Sequence, residues 1–156
     1  LPEPFRPLAE ATAARNLSEH FTLEELTRTE HRDYLEANRA PPVEVAENLK
    51  LLAANLEQVR SLLGCPIHIN SGYRCPSLNF AIGSKPTSQH VLGQAADFVC
   101  PGFGTPREIA EAIRNSDIKF DQLIHEFNAW VHISFGPRNR GEVLTINITG
   151  TIIGLV

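Results

Sequence analysis

The chain has 156 residues and a formal net charge of −4, with 42% hydrophobic and 21% charged residues. Those proportions describe one ordinary globular domain, long enough to bury a core, and exclude a disordered or fibrous chain. A mild negative charge with no basic run argues against nucleic-acid binding, and no apolar segment has the length of a membrane span. The opening LPEPFRPLAEATAARN lacks the basic-then-apolar layout of a secretory signal, so the chain is expected to be mature or exported by another route. Its Pro and Ala content reads residues 1–17 as a tail or surface strap, leaving 18–156 as a single domain.

Thr22 followed by Glu25 in FTLEEL is a capping box and predicts a short helix to about Thr29. PPVEVAENLKLLAANLEQVRSLLG carries the strongest periodicity. Val45, Leu49, Leu52, Leu56, Val59 and Leu63 recur at steps of three and four, Pro42 suits the first turn, and Gly64 stands at the C-cap. This helix is scaffold, because its apolar face needs a sheet or other helices to lie against.

The period then changes. CPIHINSGYR alternates around Ile67 and Ile69 and predicts a strand ending at Ser71-Gly72. CPSLNFAIG predicts a short helix or turn ending at Gly83, followed by a polar loop, SKPTSQH. QAADFVC reads as a strand with Ala96 and Phe98 on one face and Asp97 on the other. TPREIAEAIRNS is a second amphipathic helix, capped by Thr105 with Pro106 at its first position. FDQLIHEF and AWVHISF are strands joined by a tight link near Asn128-Ala129, and EVLTINI is a further strand. Helices mostly in the first half and strands clustered in the second predict an α+β fold with a largely antiparallel sheet carrying any site.

Three cysteines, Cys65, Cys75 and Cys100, form no metal-binding spacing, and PCxxC with HxE is absent, which removes the zinc-deaminase reading. One disulfide plus a thiol and three separate thiols both remain open. Of six histidines, His20 and His31 lie in polar surroundings and read as surface groups, and His68 as a hydrogen-bonded structural group. His90, Asp97 and His132 differ. His90 ends a polar loop, Asp97 sits within an apolar strand, and His132 is flanked by Val131 and Ile133. A carboxylate in mid-strand is costly unless something cationic meets it. Two imidazoles and one carboxylate form a three-ligand zinc set that leaves a fourth position for water. The metal-free reading pairs Asp97 with an arginine and gives His132 a backbone partner, and spacing alone leaves both open.

The stretch SQHVLGQAAD, residues 88–97, resembles the SxHxxGxAxD signature of the M15 zinc peptidases. NSGYRCPSLN and WVHIS resemble further blocks of that family, over roughly residues 18–136. They are closest to its D-Ala-D-Ala carboxypeptidase-like branch, which is related to phage L-alanyl-D-glutamate endolysins. The resemblance implies one zinc ion held by His90, Asp97 and His132, and a peptidoglycan stem peptide as substrate. Gly93 would then let the chain turn back after His90, and Ala95 would leave clearance around the ion.

By the same resemblance Arg74 holds a substrate carbonyl or carboxylate, a role that suits a planar, always-charged guanidinium. Ser88 binds substrate or caps its loop, and Trp130 walls the cleft. Several relatives place Glu or Asp three residues before the last histidine, where this chain has Ala129. A hairpin across Phe127-Asn128-Ala129 would bring Glu126 opposite Trp130 and diagonal to His132. Diagonal separations of about 7–8 Å suit a carboxylate that reaches a water without binding the metal. Glu126 is therefore the expected general base, with His125 in reserve if the turn is shifted. HEFNA does not complete HExxH.

Cleavage at D-Ala-D-Ala is the expected reaction. L-Ala-D-Glu cleavage and a non-catalytic zinc module, such as a phage structural component, are the alternatives. The implied location is periplasmic, extracellular or phage-associated.

Overall fold

The computed structural model of the chain describes residues 15–156. Most of the expected N-terminal tail, residues 1–14, lies outside them. Residues 15–17 are already bonded to the segment that leads into the first helix: Arg15 O accepts from Leu23 N at 2.9 Å and Leu17 N donates to Phe21 O at 2.9 Å.

The elements run α1 (Leu23–Thr27), a 3-10 turn (Arg32–Tyr34), α2 (Leu35–Arg39), α3 (Val43–Leu63), β1 (His68–Ser71), α4 (Pro76–Ala81), β2 (Ala95–Val99), α5 (Pro106–Arg114), β3 (Gln122–Glu126), β4 (Trp130–Ser134), β5 (Glu142–Asn147) and β6 (Gly150–Ile153). This is the α+β fold with a mostly antiparallel sheet that the sequence predicts.

Both predicted N-terminal caps are present as full capping boxes, Thr22 with Glu25 and Thr105 with Glu108. The first helix stops at Thr27, two residues short of expectation, because Arg28 turns to extended backbone. Pro42 is the N-cap of α3 and stands just outside its first turn, and Gly64 closes the helix in the left-handed conformation, φ 66°. Leu49, Leu52, Leu56, Val59 and Leu63 are buried along one face of α3, with Val45 packed at its margin.

The six strands form one sheet in the order β1-β2-β4-β3-β5-β6. All neighbours are antiparallel except β3 and β5. The exception follows from the hairpin before it. β4 ends beside the start of β3, so the short loop 135–141 needs only to step across that end, and β5 then sets out parallel to β3 with no crossover helix. Asp121 ties the step down: its carbonyl accepts from Glu142 N at 3.0 Å, and Phe120 O accepts from Gly141 N at 3.1 Å.

Alternation along the strands separates two faces. Ala96 and Phe98 of β2, Leu123 of β3, and Val131 and Ile133 of β4 are fully buried in the core, which α3 and α5 help to close. Asp97, His132, Ile124 and Glu126, one position out of step with those residues, face an open cleft on the other side. The periodicity that builds the core thus delivers the polar groups to the cleft. Among the described residues no helix is long and apolar enough to cross a membrane. The three cysteines are free thiols, Cys75 and Cys100 buried and Cys65 half-buried.

Candidate active site

The cleft has a volume of about 930 Å³ and is lined by Arg74, Ser88, His90, Asp97, Glu126, Trp130 and His132 among others. Every residue singled out from the sequence as a ligand, base or substrate contact, except the reserve base His125, therefore meets in one place. His125, on the opposite face of β3, lines a different pocket, where its Nε2 contacts Asn128 Oδ1 at 3.2 Å.

β2 and β4 pair with Asp97 directly opposite His132. His90 is brought in by the loop before β2. Its chain reverses at Gly93, where φ is 71° and an added Cβ would lie 3.0 Å from Val45 O and from Val45 Cγ1. The small residue is needed for both reasons, the left-handed backbone and the close approach to α3. The His90 ring is then fixed from behind: Nδ1 donates to the carbonyl of Gly72 at 2.6 Å. A carbonyl can only accept, so Nδ1 carries a proton and Nε2 is the nitrogen turned to the cleft. Gly72 itself is wedged against the end of α1, with no room for a side chain beside Leu26 O.

One atom from each of the three side chains lies within 4.8 Å of the others. His132 Nδ1 is 2.9 Å and His90 Nε2 is 3.3 Å from the same oxygen, Asp97 Oδ1. The His90 contact is informative. A carboxylate oxygen and a nitrogen lone pair both accept, so they repel at that distance unless a proton or a metal cation lies between them. Burial on its own would raise the Asp97 carboxyl, but the two histidines outweigh it and hold the group well below the ordinary carboxylate range. A buried anion and two convergent imidazoles thus suit a divalent cation, and zinc accepts this mixture of nitrogen and oxygen donors.

Glu126 stands opposite Trp130 across the hairpin, and Ile124 stands opposite His132, so Glu126 is diagonal to that histidine. Its Oε1 is 3.9 Å from His132 Nδ1. Burial, and then the neighbouring Asp97 charge, push its carboxyl above the usual value. The turn that sets this register has Phe127 at φ 53° and Asn128 at φ 54°, closed by Ala129 N donating to Glu126 O at 2.9 Å. Positive φ at both positions suits the twist of a tight hairpin, here a three-residue link between Glu126 and Trp130, and Asn adopts it readily. Phe127 does so at a cost, with its ring 5.6 Å from that of Trp130.

Arg74 lies across the cleft. Its guanidinium contacts hydroxyls only, Ser88 Oγ at 3.3 Å and Ser84 Oγ at 3.5 Å, and its Nε has no partner. Burial lowers its proton affinity, while Asp97 and Glu126 oppose that, and the group keeps its charge. The segment carrying it is clamped by buried Asn38 of α2. That side chain donates to Thr27 O at 2.6 Å and Tyr73 O at 3.0 Å, and accepts from Cys75 N at 2.8 Å.

A second clamp escaped the sequence reading. Asp121, with a fully buried side chain, accepts from Arg140 Nε at 2.8 Å, Arg140 Nη2 at 3.0 Å, Arg140 N at 3.1 Å and Gln89 Nε2 at 2.8 Å. It therefore ties the loop 135–141 to the residue before His90. Its only local sign is an aspartate at a strand entrance, because its partners are 19 and 32 positions away.

Arg140 holds the Asp121 carboxyl well below its usual range despite the burial. Every contact on both oxygens comes from a donor, so an amide in its place must turn an NH2 group towards one of them. Asp121→Asn is expected to lower unfolding free energy by about 2–3 kcal/mol in denaturant titrations. A folded value below the unfolded one means the wild-type contribution is complete above about pH 4 and fades as pH falls through the folded value. The stability difference between wild type and D121N should narrow over that acid range, and a difference independent of pH would refute the ion-pair account.

A buried donor set of two imidazoles and one carboxylate that could hold a metal ion, with a further carboxylate and, among the described residues, a guanidinium without an acidic partner in the same cleft, has the make-up of a metallohydrolase-type site. A family model described as Peptidase M15 matches residues 19–134, well over half of the chain, and the chain belongs to that peptidase family. No curated protein matches the chain.

Proposed function

We propose that this peptidase uses zinc, held by His90, Asp97 and His132, to hydrolyse an amide bond of a peptidoglycan stem peptide, at its D-Ala-D-Ala end. The observation that carries the reading is Arg74. It is a permanent cation with no carboxylate partner among the described residues, in the cleft where the three candidate ligands converge. A free C-terminal carboxylate is the complement of that group.

Zinc at this position supplies Lewis acidity towards the scissile carbonyl and an acidified water. Arg74 holds the terminal carboxylate or steadies charge growing on the carbonyl oxygen. Ser88, bonded to Arg74, sets the angle of its guanidinium. Glu126 takes a proton as water adds to the carbonyl carbon, and passes it to the amide nitrogen as the C–N bond breaks. Trp130, half-buried beside Glu126, forms the wall at the turn end of the cleft. A stem-peptide substrate implies a periplasmic, extracellular or phage-associated setting.

The test is digestion of defined muropeptides with and without chelator, followed by mass spectrometry. Release of D-alanine that chelator abolishes and zinc restores is the expected result. Cleavage between L-Ala and D-Glu would select the endopeptidase alternative. A zinc-loaded protein that cuts neither bond would overturn the hydrolytic reading and favour the non-catalytic module.

A further inference from the structure

The cleft continues beyond the groups that the proposed reaction uses. Along β3 the residues facing it are Gln122, Ile124 and Glu126, and β5 adds Leu144 beside Ile124 and Ile146 beside Glu126. Past the carboxylate of Glu126 the floor is therefore an aliphatic shelf two strands wide, with Ile124 buried and Leu144 and Ile146 half-buried. At the Gln122 end of the shelf, the loop 135–141 brings Arg138 and Arg140 to the rim.

These two arginines are not equivalent. Arg140 is committed to Asp121 through three donors. Arg138 Nη2 comes only to 3.9 Å of Asp121 Oδ2, an oxygen that Arg140 and Gln89 already occupy at 3.0 Å and 2.8 Å. The local anion is saturated, and Arg138 is left over with its side chain 64% exposed. A solvated surface arginine is the ordinary reading of such a group. Its place at the end of an apolar shelf, inside the cleft, argues for more.

Resting on the stem-peptide reading above, we propose that the shelf and Arg138 form a second, carboxylate-selecting subsite. The shelf takes methylene groups and the guanidinium takes the anion at their end. The ligand chemistry is a carboxylate on a short aliphatic spacer. Gln122 pairs with Ser134, two residues along β4 from His132. Arg138 is thus roughly 7 Å or more along the strand direction from that histidine, about two peptide residues from the scissile bond. A stem peptide offers such a group on D-glutamate and on diaminopimelate. The shelf and the loop both lie beyond the residues matched by the family, 19–134, apart from the β3 side of the shelf.

Synthetic stem peptides separate the sources: one with both carboxylates, one amidated at D-glutamate, and one with lysine replacing diaminopimelate. Full kinetics are measured for wild type, Arg138→Ala, Arg138→Lys and Lys85→Ala, the last removing a rim cation on another loop. Wild type is expected to show a KM roughly tenfold lower for the peptide with the recognised carboxylate than for its neutralised analogue, at similar kcat. R138A should lose that preference and R138K retain part of it. The neutralisation that abolishes the preference identifies the source.

An equal rise in KM for all peptides in R138A, or a loss in K85A as large as in R138A, would overturn the subsite in favour of general structure or a diffuse field. Cleavage of no peptide by wild type would instead sink the hydrolytic reading. Calorimetric titration of the same peptides into zinc-loaded wild type and R138A then decides the subsite: a preference lost in R138A supports it, and equal affinities overturn it.

Discussion

Glu126→Gln is expected to lower kcat on a stem peptide by about a thousandfold while leaving zinc content at the wild-type level. The substitution keeps size and shape, so the hairpin and the Trp130 contact should persist, and only the capacity to take a proton is removed. Two features of the fold single out this carboxylate. Register places it diagonal to His132, with Oε1 3.9 Å from Nδ1. It also lies outside the trio whose donor atoms converge within 4.8 Å. It can reach a water beside the ligands without joining them. The turn that follows it consists of Phe127, Asn128 and Ala129, so no second carboxylate on this turn can substitute for it. Turnover by E126Q within tenfold of wild type would remove Glu126 from the reaction. Loss of zinc in E126Q would reveal it as a fourth ligand, and a site so closed would have no corner for solvent.

The candidate site was legible in the sequence where chemistry is local or periodic. Asp97 announced itself as a carboxylate in an apolar strand, and a hairpin across Phe127-Asn128-Ala129 set Glu126 across from Trp130, the register the structure has. The core face of α3 was legible for the same reason, since its leucines repeat every three or four residues. What stayed hidden depends on distant partners. Gly72 aims its carbonyl at His90, 18 positions away, and Asn38 bonds to Cys75 across 37. Neither has a pattern that a single sequence exposes. The 3-10 turn and α2 lie in a polar stretch with little periodicity, and β6 is a four-residue edge strand exposed throughout. An exposed strand has no buried face, so it leaves no alternation to read. His20, which reads from its polar surroundings as a surface group, is exposed, yet its Nδ1 lies 2.7 Å from Glu57 Oε1.

Asp97→Asn is expected to weaken zinc binding by at least about a hundredfold, because it removes the one negative charge among the three proposed ligands. Its effect can be read without any substrate. A ligand that binds only the folded state stabilises it by about 2.7 kcal/mol at a hundred times its Kd. Wild-type melting temperature should therefore climb with added zinc, whereas that of D97N should stay nearly flat over the same range. The substitution also separates a metal centre from a structural ion pair. If Asp97 serves only to balance His90 and His132, D97N loses stability with and without chelator alike, and zinc shifts neither protein. If the three groups hold a cation, chelator lowers wild type towards D97N and leaves D97N almost unmoved. The two outcomes divide on one contact: His90 Nε2 and Asp97 Oδ1 face one another at 3.3 Å, and either a proton or a metal cation between them satisfies both. The loop before β2 and the strand itself hold the two groups that close, and metal analysis of protein purified without chelator identifies whether a proton or a metal cation lies between them.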